Sequence, residues 1–295
     1  MLRKGVGFTP KSFAAGDFNQ FFSLAGQAGG VVMWAGDWLE LEIGSGAPSV
    51  LVQTASTRGC TPVFAFQFFE PSTGALLRPL DEATMKRYKT AASAFVQKYR
   101  PAYLGIGVEV NLLYEKSSSD FEAFVQFYNE VYQSLKGISP TTKVFTIFQL
   151  EKMKGLRGGL FGGTNDAAKN EWALLDRFTN SDLAAFTTYP GLIYKDPAAI
   201  PADYYTEIAK HTAKPIAFTE IGWHSAASPL GWEGSEDEQS AFVRSFFSLT
   251  QDLNPLLELW SFLYDQNTTE PFNSMGLMRQ DSSPKTAFNE WVAGS

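Results

Sequence analysis

The sequence predicts an α/β chain closing into a single-domain (β/α)8 TIM barrel over residues 1–295. Three observations predict it. Eight short β-rich apolar runs alternate with longer segments of helical period, the pattern of βα units around a parallel sheet. Most of these runs are continuously hydrophobic, as strands covered on both faces are. The length suits one such barrel, and no low-complexity tract or shift of composition divides the chain.

The eight runs cover residues 5–9, 30–34, 62–68, 103–109, 143–149, 183–188, 215–220 and 257–263. Between the first two, residues 17–24 carry a weak helical period. After the third, a helix following Leu80 sets Met85, Tyr88, Ala92, Phe95, Val96 and Tyr99 on its buried side. After the fourth, residues 120–135 place Phe121, Phe124, Val125, Tyr128, Val131, Tyr132 and Leu135 on one stripe, with Gly137 and Pro140 as stop signals. The glycine-rich stretch 155–164 predicts a mobile loop after the fifth run, on the face where barrel enzymes carry their sites. Weaker helical segments follow at 165–178 and 202–211. Ser235 and Glu238 have capping-box spacing and open a helix carrying Phe242, Val243, Phe246, Phe247 and Leu249, and a last helical segment covers 284–292.

Composition narrows the function. Hydrophobic residues make up 44% of the chain and charged residues 19%, enough apolar surface for a sizeable core. A net charge of -7 argues against a broad electrostatic grip on nucleic acid or anionic lipid, and favours a neutral substrate. No apolar run approaches the roughly 18 residues that a membrane span needs. The start lacks a signal-peptide core, so the compartment stays open, with a mature secreted chain favoured over a cytoplasmic one. Cys60 is the single cysteine, which excludes an internal disulfide and a thiolate metal site. His211 and His224 are the only histidines, and they cannot form an H-E-x-x-H zinc site. The expectation is a monomer with no metal or cofactor and with no nucleic-acid or membrane partner.

Two runs deliver chemistry. The fourth reads Tyr103-Leu-Gly-Ile-Gly-Val-Glu109-Val-Asn111 and the seventh Pro215-Ile-Ala-Phe-Thr-Glu220-Ile-Gly-Trp223-His224. Each ends an apolar strand in a glutamate, a position costly inside a barrel but acceptable where the strand opens into a polar mouth. Strands four and seven face each other across that mouth, so Glu109 and Glu220 can flank a glycosidic bond. Around them, Trp34, Asp37 and Trp38 follow the second run; they either line sugar subsites or form an aromatic cluster closing the barrel top. Trp34, Trp38, Trp223, Trp232 and Trp260 together suggest an open cleft for several sugars. Gln67, Phe68, Glu70, Gln149 and Glu151 are weaker candidates for hydroxyl contacts, and His224 reads as a surface or supporting residue.

Thr219-Glu220-Ile221-Gly222-Trp223, Thr187-Thr188-Tyr189-Pro190, Leu259-Trp260-Ser261-Phe262 and Met275-Gly276-Leu277-Met278 with Pro284-Lys285 carry a resemblance. Over nearly its whole length the chain resembles clan GH-A of the glycoside hydrolases. The resemblance implies a retaining glycosidase with Glu220 as nucleophile and Glu109 as general acid/base, Tyr189 bonded to Glu220, and Trp260 as a sugar platform. It also implies a raised pKa for Glu109 and an ionised Glu220. One position departs: most of the clan has Asn before the acid/base, where this chain has Val108. Asn111, two residues beyond Glu109, faces the same side by strand period and is expected to stand in. Two other readings stand beside this one. The first is a non-catalytic carbohydrate-binding barrel. The second is a barrel aldolase or isomerase, which lacks a strand-end lysine and a phosphate loop here.

Overall fold

A computed structural model describes residues 3–71 and 73–294. The elements run β1 (Arg3–Gly7), α1 (Ala15–Gln27), β2 (Val31–Asp37), α2 (Ala47–Arg58), β3 (Thr61–Gln67), α3 (Glu82–Tyr99), β4 (Tyr103–Ile106), α4 (Val110–Lys116) and α5 (Ser118–Ile138). They continue with β5 (Lys143–Phe145), β6 (Ile147–Gln149), α6 (Leu150–Met153), β7 (Ala184–Thr188), β8 (Ile216–Ile221), α7 (Glu236–Thr250), β9 (Leu257–Trp260) and α8 (Thr286–Ala293).

All pairings between the strands are parallel, in the order β5-β4-β3-β2-β1-β9-β8-β7-β6. The two ends of this ribbon, β5 and β6, are separated only by Thr146. They are halves of one broken stave, so the barrel has eight staves, and β7, β8 and β9 are the sixth, seventh and eighth. The break has a visible partner. β4 stops at Ile106, Gly107 turns aside with φ +81, and its carbonyl accepts from Ile147 N at 3.2 Å where the fifth stave resumes.

Side-chain alternation divides the apolar residues between two cores. Val31, Met33, Val63, Ala65, Tyr103, Ala185, Ala217, Leu257 and Leu259 pack together without any helix residue, which makes them the barrel interior. Val32, Trp34, Phe64, Phe66, Phe186, Phe218 and Trp260 pack with Phe21, Tyr88, Phe95, Phe124, Phe242 and Trp291 of the helices, which makes them the shell between sheet and helices. Asp81, Ser117 and Ser235 cap α3, α5 and α7 by accepting from Thr84 N, Asp120 N and Glu238 N.

The outer ring departs from expectation on one side. Residues 165–178 and 202–211 form 3-10 turns, Ala167–Lys169, Trp172–Phe178 and Thr206–Lys210, not α-helices. Their backbone bonds close over three residues, with Lys169 N donating to Asp166 O, Leu174 N to Glu171 O and His211 N to Ile208 O. The two segments are joined by Trp172 stacked on His211, with centroids 4.3 Å apart. The glycine-rich loop is tethered in the structure: Asn165 Oδ1 accepts from Arg157 N and Gly158 N, and Arg157 pairs with both Glu115 and Glu171.

Candidate active site

At the C-terminal ends of the strands lies a cavity of about 530 Å³. Its wall includes Gln67, Val108, Glu109, Gln149, Tyr189, Leu192, Glu220, Phe262, Phe272 and the segment Gln266–Thr269. Among the described residues, Glu109 and Glu220 are the only charged ones lining it. A larger groove of about 710 Å³ lies on the outer ring between α3 and residues 41–49, away from these carboxylates.

Glu220 reaches the cavity through a β-bulge. Phe186 pairs with Phe218 and the next residue, Thr187, pairs with Glu220, so Thr219 is extra in the seventh stave. Ala217 faces the interior and Phe218 the helices, so strict alternation would send Glu220 toward the helices with Phe218. The extra residue re-aims it inward. There its Oε2 accepts from the Tyr189 hydroxyl at 2.5 Å, and that hydroxyl also lies 2.9 Å from Ser261 Oγ.

Glu109 arrives by a different bend. It has left-handed backbone angles, φ 59 and ψ 48, and immediately precedes α4. The turn is prepared at Gly107, where a Cβ would stand 2.6 Å from the Phe124 ring and 2.7 Å from Val110. Thr187 Oγ1 donates to Glu109 Oε1 at 2.6 Å.

Environment separates the two acids. Burial, and then the negative charge of Glu220, push the Glu109 pKa up to about 8, against the Thr187 hydrogen bond. Burial also raises Glu220, but the Tyr189 phenol donates to its charged form and opposes that rise. The Tyr189 phenol itself is held well above its ordinary value by burial and by Glu220.

Several residues expected at the site lie elsewhere. Asn111 is not in a strand: the turn at Glu109 starts α4, and Asn111 is fully buried in its first turn, donating to Gln149 O and to Glu171. It cannot stand in beside Val108, whose side chain lines the cavity. Trp260 shares the outward parity of Glu258, packs on Phe242 and Trp291, and donates to Met275 O at 2.7 Å. From the eighth stave it is Phe262 that reaches the cavity, turned inward by a bend after β9 ends. Trp34 packs on Phe66, Trp38 against Phe68 and Tyr88, and Trp223 on Phe242, all in the shell. Asp37 has both oxygens on Arg78, at 2.8 and 2.5 Å, and caps Leu39 N. Of the weaker candidates, Gln67 and Gln149 line the cavity, while Phe68 and Glu151 are buried outside it. His224 is buried beside Trp223.

Thr187, Phe262, Phe272 and the 266–269 segment were not anticipated. Thr187 had a signal in the sequence: it is two residues from Tyr189 in the same motif. Among the described residues, no group of three or more His, Cys, Asp or Glu is arranged to hold a metal. No described helix is long and apolar enough to cross a membrane.

No family model matches the chain, and no curated protein sequence matches it. Solved structures do. The GH5_18 protein of Streptomyces cattleya, determined in complex with GlcNAc, aligns at TM-score 0.72 and 14% identity over 98% of this chain and 78% of that one. The fold is a (β/α)8 TIM barrel. An exo-beta-1,4-mannosidase, Op5Man5, from Opitutaceae bacterium strain TAV5 aligns at TM-score 0.69 and 13% identity, covering 98% of this barrel chain and 58% of that chain. A family 39 glycoside hydrolase from Bacteroides cellulosilyticus WH2 aligns at TM-score 0.65 and 18% identity, covering 98% and 62%. The barrel therefore spans about three fifths of the length of the last two.

Proposed function

We propose that the chain is a glycoside hydrolase of the clan GH-A type that cleaves β-glycosidic bonds in a neutral oligo- or polysaccharide with retention of configuration. One observation carries this reading: two buried carboxylates from the fourth and seventh staves face a single cavity, each with its own hydroxyl donor and with unequal proton affinities. Structures of the same fold that bear glycoside-hydrolase names support it. The rest of the cavity wall fits a neutral sugar. Gln67, Gln149, Gln266 and Asn267 offer amides, Thr268 and Thr269 offer hydroxyls, and among the described residues no lysine or arginine lines it to select an acidic group. Phe262 and Phe272 offer apolar faces to a sugar ring.

In this mechanism Glu109 begins protonated at neutral pH and Glu220 begins charged. Glu109 donates its proton to the glycosidic oxygen while Glu220 attacks the anomeric carbon, which releases the leaving alcohol and leaves a glycosyl ester on Glu220. The charge that had raised Glu109 is then gone, so Glu109 takes a proton from water as the water attacks the anomeric carbon. Hydrolysis of the ester returns both carboxyls to their first states.

Product analysis against defined β-linked oligosaccharides tests this, with the anomer of the first-formed product read by NMR. Retained configuration is expected. Azide is expected to rescue Glu220→Ala and Glu109→Ala to products of opposite anomeric configuration. Binding without turnover on every sugar across the pH range would replace the enzyme with a carbohydrate-binding barrel.

A further inference from the structure

A third carboxylate lies just behind the pair. Glu151, in α6, is fully buried and does not line the cavity. Its Oε1 accepts from Thr188 Oγ1 at 2.9 Å, Tyr189 N at 3.0 Å and the Tyr204 hydroxyl at 2.8 Å, and its Oε2 accepts from Gln149 Nε2 at 2.6 Å. Four donors converging on one solvent-free carboxylate is a fully satisfied network, the arrangement that fixes its members most firmly.

What it fixes is the end of the sixth stave. Thr187 donates to Glu109, Thr188 to Glu151, and Tyr189 to Glu220, so three successive residues address three glutamates. Glu151 binds the middle hydroxyl and the following backbone N–H, and the orientation of the two flanking donors follows from that grip. We propose that Glu151 is a positioning residue, clamping Thr188 and Tyr189 so that the Thr187 hydroxyl meets Glu109 and the Tyr189 phenol meets Glu220 together. The proposal rests on the glycosidase reading for its kinetic consequence and stands apart from it in the titration below.

Charge links Glu151 to Glu109 as well. The charged groups that act on Glu109 are Glu220 and Glu151, which raise its proton affinity, and Lys152, which lowers it. Glu151→Gln keeps the volume but turns one acceptor oxygen into a donor amide. Gln149 cannot adapt by flipping its own amide without losing the bond that its Oε1 accepts from Lys152 N.

The expected result is a fall in kcat on the order of 10- to 100-fold, the scale of a small misplacement of reacting groups, with KM within about twofold. Loss of the negative charge lets Glu109 release its proton more readily, so the alkaline limb of the pH profile moves to lower pH. Titration of 13C-labelled glutamate carboxyls, with the Glu109 signal assigned by Glu109→Gln, is expected to show its midpoint falling in Glu151→Gln. Tyr204→Phe removes a single donor and keeps the ring in place; a fall in kcat of a few-fold is expected, and it serves if Glu151→Gln does not fold. Wild-type kcat together with a superimposed pH profile and an unmoved Glu109 midpoint overturns the proposal, even if the variant melts earlier. A chain inert on every glycoside would sink the glycosidase reading, while the carboxyl titration would still decide the role of Glu151.

Discussion

The ends of the fourth and seventh staves begin from the same sequence pattern, an apolar run closing in glutamate, and become different places. Glu220 stays within its strand, re-aimed by the extra Thr219, and takes a 2.5 Å hydrogen bond from a phenol. Glu109 leaves its strand through a left-handed turn, sits against Val108, and is pushed up to about 8 by burial and by its counterpart. Backbone irregularity delivers both carboxylates, and neighbouring groups then give them different protons. In the proposed mechanism the carboxyl that holds its proton at neutral pH serves as the acid, and the one whose charged form a phenol favours serves as the nucleophile.

The sharpest test of this asymmetry removes each group in turn. Glu220→Ala is expected to lower kcat on the order of 10⁴- to 10⁶-fold, as loss of a nucleophile does elsewhere, on any substrate the wild-type enzyme cleaves. Glu109→Gln is expected to cost about 10²- to 10⁴-fold. That loss should shrink for an aryl glycoside whose leaving group needs no proton, and the alkaline limb near pH 8 should disappear. If the two variants behaved alike on both substrates, the assignment of roles would be wrong. Tyr189→Phe is expected to cost less, about 10- to 100-fold, and to shift the acidic limb to higher pH, because the donor that favours charged Glu220 is gone.

A fourth test concerns stability. With a folded pKa of about 8 against an ordinary 4.5, Glu109 holds its proton in the folded chain after the unfolded chain has released it. Stability therefore falls as pH rises from about 4.5 to about 8, at up to about 1.4 kcal/mol per unit, and levels above that. Glu109→Gln should melt higher than wild type at pH 8, with the gap closing toward pH 5. At the small end for activity is the shell. Trp260→Ala should lose about 3–5 kcal/mol of stability with KM unchanged in any chain that remains folded, and a raised KM would return Trp260 to the sugar site.

Stave positions were legible because continuous apolar runs survive any local bend: all eight were placed, and both glutamates at their ends. The aromatics were not. A tryptophan at a strand end is equally apolar whether it faces the mouth or the helices, and only parity distinguishes the two. Parity would have served for Trp260, which shares a face with Glu258 while Leu257 and Leu259 point inward. It would have failed for Glu220, because the bulge at Thr219 leaves no mark in the residue types. Asn111 was misplaced for a related reason. The strand was carried past Gly107, where a glycine that permits φ +81 ends it, and a strand period was applied to residues that form a helix. The 3-10 turns at 167–178 and 206–210 were read as helix because a three-residue repeat and a 3.6-residue one differ little over so few positions.

The carbonyl of Gly107 has a consequence for inheritance. It accepts from Ile147 N at 3.2 Å, with Thr146 Oγ1 at 3.5 Å, so the bend that aims Glu109 and the gap that interrupts the fifth stave share one oxygen. Descendants of this chain that acquired a side chain at 107 would displace that oxygen and leave the neighbouring stave to restart elsewhere. Position 107 is therefore expected to stay glycine across a lineage, because its φ of +81 strains any side chain and a Cβ there would meet Phe124 and Val110.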